Sequence, residues 1–346
     1  MKYKKFEMLK VGDTVAVIAP SSGLCKVFPH IYKNGIKVLL DLGLKVVEYP
    51  TTKKSFDFIS NNPKFRANDV NNAFKDKNIK AIFTVIGGND CNRILPYLDE
   101  TIIKNNPKIF MGFSDTATLN TYFNQLGLIT FNGPSIMAGF SQMYDLEQKY
   151  LEHIKEILFN NNSSYQYFEY NKYVNGYLDW SKKENVGKVK NKIKNDGWIF
   201  LQGKGKFVGE LYGGCIEVLE FTKSTKYFPK LNFFKNKILF FETSEDKPSL
   251  DQIKYMLRNY GLQGVFDKIS GIIFGRARDF TKKEKDELNN VILKIVRDEF
   301  KNNKLPIITN FDIGHTDPQL ILPLGIKTEI DCSKKTVKLV ENIFVN

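Results

Sequence analysis

Short apolar runs alternate with helical patterns along the first half of the chain. Runs rich in β-branched residues, typical of buried strands, lie at 14–19, 45–49, 81–86 and 109–112. Apolar residues at helical spacing occur at 31–42, at 67–74 and from 115 to 123. Strands that alternate with helices at these lengths favour a parallel, doubly wound α/β domain.

The pattern changes in the second half. Residues 161–206 are rich in Asn, Tyr, Lys and Gly, show little periodicity and contain both tryptophans, Trp180 and Trp198. Beyond them, strands are predicted at 207–211, 238–242, 269–274 and 306–309, helices at 250–260 and 282–299, and a hairpin at 327–339. A chain of 346 residues is longer than one hydrophobic core usually serves. We therefore predict an N-terminal α/β domain over 1–160, an insert or linker over 161–206 and a C-terminal domain over 207–346.

The composition is that of an ordinary globular protein, with 42% hydrophobic and 26% charged residues. No apolar run approaches the roughly 18 residues of a membrane-spanning helix, and no signal-peptide stretch follows the lysine-rich start. The four cysteines lie far apart without a C-x-x-C pair, which favours free thiols over a metal or redox site. These features predict a cytoplasmic protein that makes no membrane contact.

The chain carries 51 basic and 38 acidic residues, a formal net charge of +13. Clustered Lys and Arg would indicate nucleic-acid binding through phosphate contacts. The lysines are instead spread along the whole chain, often beside Asp or Glu, which is typical of solvated faces. We therefore predict no nucleic-acid partner, while attraction of a small anionic substrate is compatible with either interpretation.

Ser114 stands where the fourth strand gives way to a helix, in Met-Gly-Phe-Ser-Asp-Thr. At such a turn in α/β hydrolases the serine oxygen is exposed, and nearby backbone N–H groups can hold an oxyanion. A serine that caps a helix N-terminus is the competing interpretation, and G-x-S-D is not the G-x-S-x-G motif of that fold. Gly87 and Gly88 end the neighbouring strand at the same sheet edge, where they either let the backbone approach a ligand or form a plain turn.

The chain has three histidines, which makes the search for a catalytic base short. His30 precedes a helix and His153 lies within a helical pattern, so both are typical of surface or packing positions. His315 lies in a Gly- and Pro-marked loop just after a strand. Loops on a rigid scaffold often carry catalytic residues, although a structural loop histidine is equally compatible.

Glu242 ends an apolar strand, where a buried carboxylate needs a partner such as an imidazole. Glu245 and Asp246 follow closely and could supply the carboxylate instead. The sequence contains no P-loop, no complete dinucleotide-binding motif, no H-E-x-x-H and no Cys/His cluster, which argues against a metal-dependent mechanism.

Six short motifs follow one another along the chain. They are Gly-Asp-Thr-Val-Ala-Val-Ile-Ala-Pro-Ser-Ser at 12–22, Ile-Gly-Gly-Asn-Asp at 86–90, Gly-Phe-Ser-Asp at 112–115, Gly-Gly-Cys-Ile-Glu-Val-Leu at 213–219, Phe-Phe-Glu at 240–242 and Gly-His-Thr-Asp-Pro at 314–318. In this order they resemble the LD-carboxypeptidase family of serine peptidases, and especially its microcin C immunity branch. The resemblance covers nearly the whole chain.

This resemblance implies a Ser-Glu-His triad at Ser114, Glu242 and His315, with an oxyanion hole formed by the backbone N–H groups of Gly88 and Asp115. It also implies a flavodoxin-like N-terminal domain, a smaller and mainly β C-terminal domain, a site in the cleft and a homodimer. Members of the family use no metal ion and no cofactor.

Two departures from the family pattern bear on the substrate. Murein-recycling members usually carry Gly-Gly-Tyr-Gly where this chain has Gly-Gly-Asn-Asp, and the aromatic insert around Trp180 is similar to the immunity branch. That branch cleaves the amide between an acidic aminoacyl group and a nucleotide-like moiety, so Trp180 is expected to stack on the base and Asn89 to contact substrate. The alternatives are release of the terminal D-alanine from a murein tetrapeptide, and a non-catalytic nucleotide-binding module. A small molecule or a peptide is the expected partner.

Overall fold

The computed structural model describes residues 2–345, which form two large sheets with helices packed against them. The strands are β1 (Thr14–Ile18), β2 (Lys45–Glu48), β3 (Ile79–Thr84), β4 (Ile109–Gly112), β5 (Thr130–Asn132), β6 (Tyr165–Gln166), β7 (Lys172–Asn175), β8 (Ile193–Lys194), β9 (Ile199–Gln202), β10 (Lys206–Cys215), β11 (Lys237–Glu242), β12 (Gly271–Gly275), β13 (Ile307–Phe311), β14 (Thr316–Asp317), β15 (Leu322–Leu324), β16 (Lys327–Asp331) and β17 (Thr336–Leu339).

The helices lie between these strands. They are α1 (Pro29–Asp41), α2 (Phe56–Asn61), α3 (Pro63–Lys75), α4 (Glu100–Asn105), α5 (Ala117–Gln125), α6 (Gln148–Phe159), α7 (Ile216–Glu220), α8 (Leu250–Leu262) and α9 (Lys282–Leu293). Across the described residues, none of them is long and apolar enough to cross a membrane.

The N-terminal sheet has the strand order β15-β5-β4-β3-β1-β2, and β1 to β5 run parallel to one another. The order 2-1-3-4-5 is that of flavodoxin-like folds. Strands β1, β3 and β4 are almost entirely buried. A parallel sheet covered by helices on both faces explains why these strands are continuous apolar runs instead of alternating patterns.

The C-terminal sheet has the order β6-β17-β16-β10-β11-β12-β13-β9. Its central strands β10 to β13 are parallel, and helices α7, α8 and α9 connect them; the outer strands pair antiparallel. The predicted C-terminal hairpin is formed by β16 and β17. The predicted α/β architecture with N-terminal and C-terminal parts is therefore confirmed.

The segment 161–206 has little sequence periodicity, yet it contains short strands, three of which have partners far away in the chain. Strand β9 pairs with β13 and β6 pairs with β17, so both extend the C-terminal sheet at its edges. Strand β7 pairs with β8 and with β14, which directly follows His315. Strands of two to four residues are too short to show a period, which is why the pattern indicated an irregular segment.

Strand β15 joins the two parts of the molecule. It leaves the C-terminal part and pairs antiparallel with β5 in the N-terminal sheet. The chain between β13 and β15, which contains His315, therefore runs from one sheet to the other. The ends of β3, β4 and β11 face the same region, and ligands in α/β sheets bind at such carboxyl ends.

Candidate active site

Ser114 occupies a strained turn at the end of β4. A single 3₁₀ turn, Ser114–Thr116, links the strand to α5. The φ angle of Ser114 is +60°, in the left-handed region that non-glycine residues rarely adopt. Such strain is typical of functional sites and of the turn that presents a nucleophilic serine. The serine is 9% exposed, so its hydroxyl lies in a nearly enclosed position.

His315 connects Ser114 to Glu242. Its Nε2 lies 3.0 Å from Ser114 Oγ, and its Nδ1 lies 2.7 Å from Glu242 Oε2. Glu242 is the last residue of β11 and is fully buried. Gly314 has a φ of +92°, and a Cβ there would lie 2.5 Å from Glu242 Oε2, so glycine lets the histidine loop approach the carboxylate.

The buried carboxylate controls the charge of His315. Burial disfavours the imidazolium, but Glu242 favours it by charge and hydrogen bonding, and Glu245 adds to this effect. The net result raises the pKa of His315 to about 10, above its ordinary value of 6.5. A nearby negative charge that stabilises an imidazolium is the electrostatic role of the carboxylate in serine hydrolases.

Glu245 is a second carboxylate at the same histidine. Its Oε2 lies 3.1 Å from His315 Nε2, and its side chain is 55% exposed. The hydrogen bond with His315, opposed by burial, lowers the pKa of Glu245 to about 2. The sequence left Glu242 and Glu245 open as partners, and the structure brings both to His315, one on each ring nitrogen.

The loop after β3 packs tightly against Ser114. A Cβ at Gly87 would lie 2.7 Å from Ser114 Oγ and 3.3 Å from the backbone nitrogen of Asp115, so only glycine permits this approach. Gly88 follows on the exposed side of the loop and lines the same cleft. The backbone groups at Gly88 and Asp115, predicted as oxyanion donors, therefore lie on two loops that meet around Ser114.

The Asp115 side chain ties these loops together, a role that the sequence did not indicate. Its Oδ2 accepts hydrogen bonds from the backbone N–H groups of Asp90 and Cys91, at 3.0 and 2.8 Å, and from the Ser21 hydroxyl. Burial raises the pKa of this carboxyl group, while the donors oppose the rise. The carboxylate thus fixes the 87–91 loop relative to the nucleophile turn.

Arg66 also fixes the 87–91 loop, a role that the sequence did not indicate. The guanidinium of Arg66, on α3, is fully buried and forms a two-pronged ion pair with Asp90 at 2.7 and 3.1 Å. It also donates to the carbonyls of Pro20 and Ser21. Forked pairs of this kind fix geometry as well as charge. In the sequence, Arg66 stands just before the helix predicted at 67–74, where a charged side chain is typically solvated.

These residues surround a cleft of about 130 Å³. It is lined by Ser22, Leu24, Ile86, Gly87, Gly88, Phe113, Ser114, Ala138, Tyr177, Glu245 and His315. Asn89 is exposed beside the cleft on the Gly88 loop. Among residues 2–345, no group of three or more His, Cys, Asp or Glu side chains could hold a metal ion.

Trp180 is half-buried behind the cleft wall. Its ring packs 5.7 Å from that of Phe28 and 5.1 Å from that of Tyr177, which lines the cleft. Its backbone carbonyl lies 2.6 Å from His30 Nε2. Trp180 is therefore separated from the cleft by the Tyr177 ring. This packing is compatible with a contact to substrate and equally with a role as an anchor for the insert.

A serine in contact with an imidazole that also contacts a buried carboxylate is the arrangement of serine hydrolases. The LD-carboxypeptidase N-terminal domain model matches residues 15–133, and the LD-carboxypeptidase C-terminal domain model matches residues 208–330. The chain belongs to the LD-carboxypeptidase family and is a serine-type carboxypeptidase.

Curated relatives span almost the full length of the chain. The microcin C7 self-immunity protein MccF of Escherichia coli is 31% identical over 96% of this chain and 94% of its own. A Vibrio cholerae protein named as a carboxypeptidase is 30% identical over 96% of each chain. A Bacillus subtilis protein named as a murein peptide carboxypeptidase is 27% identical over 97% of this chain and 94% of its own.

Solved structures that are similar to this chain belong to the same family. MccF in complex with glutamyl sulfamoyl guanosine superposes with a TM-score of 0.87 at 28% identity, over 99% of each chain. An MccF-like protein from Streptococcus pneumoniae in complex with AMP superposes with a TM-score of 0.84 at 30% identity, over 95% of this chain and 98% of the other. This chain is therefore MccF-like in fold and sequence.

Proposed function

We propose that Ser114 is the nucleophile, His315 its general base and Glu242 the carboxylate that orients the histidine. The observation that carries the proposal is the pair of contacts, 3.0 Å from Ser114 Oγ to Nε2 and 2.7 Å from Nδ1 to Glu242. Nucleophile and base lie within hydrogen-bond reach, and a third group fixes the base, which is the signature of an activated serine.

The reaction then follows in two steps. His315 removes the proton from Ser114 as the oxygen attacks the amide carbonyl, and Glu242 stabilises the imidazolium that forms. The backbone N–H groups of Gly88 and Asp115 receive the negative charge on the carbonyl oxygen. His315 next protonates the leaving amine, and an acyl-enzyme remains. Water activated by His315 releases the acid and restores the serine.

For the substrate, we propose an amide that joins an acidic aminoacyl group to a nucleotide-like moiety. Support comes from the similarity to MccF, which binds glutamyl sulfamoyl guanosine, and to an MccF-like protein that binds AMP. Tyr177 lines the cleft and Trp180 packs against it, and aromatic rings of this kind can stack on a nucleobase. Release of D-alanine from a murein tetrapeptide is the second candidate, supported by the murein peptide carboxypeptidase relative. A non-catalytic nucleotide-binding module is disfavoured because the three triad side chains are in contact.

A homodimer and a cytoplasmic location, both expected from the sequence, stay predictions. The homodimer is implied by the resemblance to the family. Sedimentation velocity at micromolar concentration tests the homodimer: a single species of twice the chain mass supports it and a monomer contradicts it.

Variants of the nucleophile and the base test the catalytic proposal. Ser114→Ala and His315→Ala should each lower kcat by about three orders of magnitude or more, because triad members act as a unit. Ser60→Ala, on α2 outside the cleft, is the matched control and should keep wild-type activity. Products from glutamyl sulfamoyl adenosine and from a murein tetrapeptide are identified by mass spectrometry. Either triad variant with more than about a tenth of wild-type kcat and an unchanged melting curve would contradict the assignment.

A further inference from the structure

His315 has three polar partners in the structure but only two ring nitrogens. Glu242 faces Nδ1, while Ser114 Oγ and Glu245 Oε2 both face Nε2, at 3.0 and 3.1 Å. A ring nitrogen offers either one proton or one lone pair. With a carboxylate on each side, both nitrogens donate and the ring is an imidazolium. In that state Nε2 has no lone pair with which to accept the proton of Ser114.

Two other ionisable groups, Asp317 and Arg278, lie near the contact between Glu245 and His315, but neither takes the place of His315 as the partner of Glu245. Asp317 is buried nearby, and burial raises its pKa to about 6; its carboxylate bonds to the phenol of Tyr177. Arg278 faces Glu245 but pairs with Asp279 at 3.2 Å and lies over the Tyr177 ring. The cation that directly contacts the Glu245 carboxylate is thus the imidazolium.

A bound substrate changes the surroundings of Glu245. Its side chain is 55% exposed in the free cleft, and the other cleft walls are apolar or uncharged, except for the histidine itself. A ligand that fills about 130 Å³ displaces the water that solvates the carboxylate. A desolvated carboxylate is costly without a cation. Because the histidine must become neutral to act as a base, the replacement cation has to come from the substrate.

We propose that Glu245 binds the free α-ammonium group of the substrate's acyl residue, and that this exchange of partners releases Nε2 of His315 for catalysis. The inference rests on the proposed function, since it concerns an aminoacyl substrate attacked by Ser114. As the ammonium takes the place of the imidazolium, the Nε2 proton passes to solvent and the ammonium keeps its own protons. Glu245 thereby determines specificity for aminoacyl groups with an unblocked amine.

The geometry of an aminoacyl group fits this position. Ser114 Oγ and Glu245 Oε2 lie within 3.1 Å of the same nitrogen, so they are at most about 6 Å apart. In an aminoacyl amide the α-nitrogen is two covalent bonds from the carbonyl carbon. A carbonyl placed for attack by Ser114 therefore brings its α-ammonium within reach of Glu245. An internal peptide residue, whose α-nitrogen is acylated, offers no cation there.

Ligand binding to a non-hydrolysing enzyme tests the proposal. In a Ser114→Ala background, calorimetry compares glutamyl sulfamoyl adenosine with its N-acetyl derivative. Adding Glu245→Gln should weaken binding of the free-amine ligand about 10-fold or more, because a charge-assisted hydrogen bond is lost, and should leave the N-acetyl ligand unaffected. Asp246→Asn, the matched control on the same loop, should change neither. Equal weakening of both ligands by Glu245→Gln would overturn the proposal.

The histidine itself gives an independent readout. Nitrogen-15 NMR should show His315 protonated up to about pH 10 in the free enzyme, with a clearly lower pKa in Glu245→Gln and no change in Asp246→Asn. The free-amine ligand should lower the pKa of His315, and the N-acetyl ligand should not. Failure to bind either ligand would refute the nucleotide substrate class alone. An unchanged His315 titration in Glu245→Gln would refute the role of Glu245, whatever the substrate.

Discussion

Replacing Gly87 with alanine tests how closely the 87–91 loop must approach Ser114. The new Cβ would lie 2.7 Å from both Cβ and Oγ of Ser114, whereas ordinary contacts begin at 3.4 Å. The serine or the loop must therefore shift by about 0.7 Å. A misplacement of about 1 Å can cost about 10²-fold in rate. We expect Gly87→Ala to lower kcat/KM on the order of 30- to 100-fold, chiefly through kcat.

The assay follows the release of sulfamoyl adenosine from glutamyl sulfamoyl adenosine by chromatography, together with thermal unfolding. Gly271→Ala is the control, because its Cβ would lie 3.1 Å from side-chain ends of Ile330 and Pro306 in the C-terminal sheet. That variant should lose stability and keep its activity. If Gly87→Ala retained more than half of wild-type kcat/KM, the tight approach of this loop would not matter for catalysis, and the predicted geometry would be refuted.

Three further perturbations have distinct outcomes. Trp180→Ala should raise KM for the adenosine substrate about 5- to 150-fold, because one stacked base contributes about 1–3 kcal/mol to binding, and should leave KM for a short peptide unchanged. An equal rise in KM for both substrates would indicate that Trp180 anchors the insert. Glu242→Gln should lower kcat by about 10⁴-fold at pH 7, since an amide cannot stabilise the imidazolium; a near-wild-type kcat would contradict this. Burial lowers the pKa of His153 to about 3, so its stabilising contribution is complete above pH 6.5 and is lost as the pH falls towards 3. Below pH 6.5, urea denaturation should show that the free energy of unfolding falls more steeply with decreasing pH in wild type than in His153→Gln, by about 1.4 kcal/mol per pH unit. The same pH dependence in both proteins would refute this role of His153.

The pattern of apolar residues was enough to predict the two strands whose ends carry Ser114 and Glu242. The apolar run before Ser114 corresponds to β4, and the run that ends in Glu242 corresponds to β11. Both strands are buried, so their apolar residues are continuous and their ends are sharp. His315 could not be joined to them by pattern, because its position depends on β15 returning to the N-terminal sheet. Only the resemblance to a family supplied that contact.

Residues that act through tertiary contacts left little trace in the sequence. Arg66 is a charged residue in a helix, and nothing nearby in the sequence indicates that its guanidinium is buried against Asp90. Glu245 was visible only as one of several carboxylates after β11, because its contact with His315 spans 70 residues of chain. Three of the short strands of 161–206 also depend on distant partners, as in the pairing of Ile199 with Thr309.

The central claim, that this serine peptidase cleaves aminoacyl-nucleotide amides, is tested most directly by kcat/KM measured on two substrates under the same conditions. Glutamyl sulfamoyl adenosine and a murein tetrapeptide are each incubated with wild-type enzyme, and products are quantified by mass spectrometry. The account predicts a higher kcat/KM for the adenosine compound, with glutamate and sulfamoyl adenosine as products and none formed by Ser114→Ala. A higher kcat/KM for the tetrapeptide, with release of D-alanine, would contradict it.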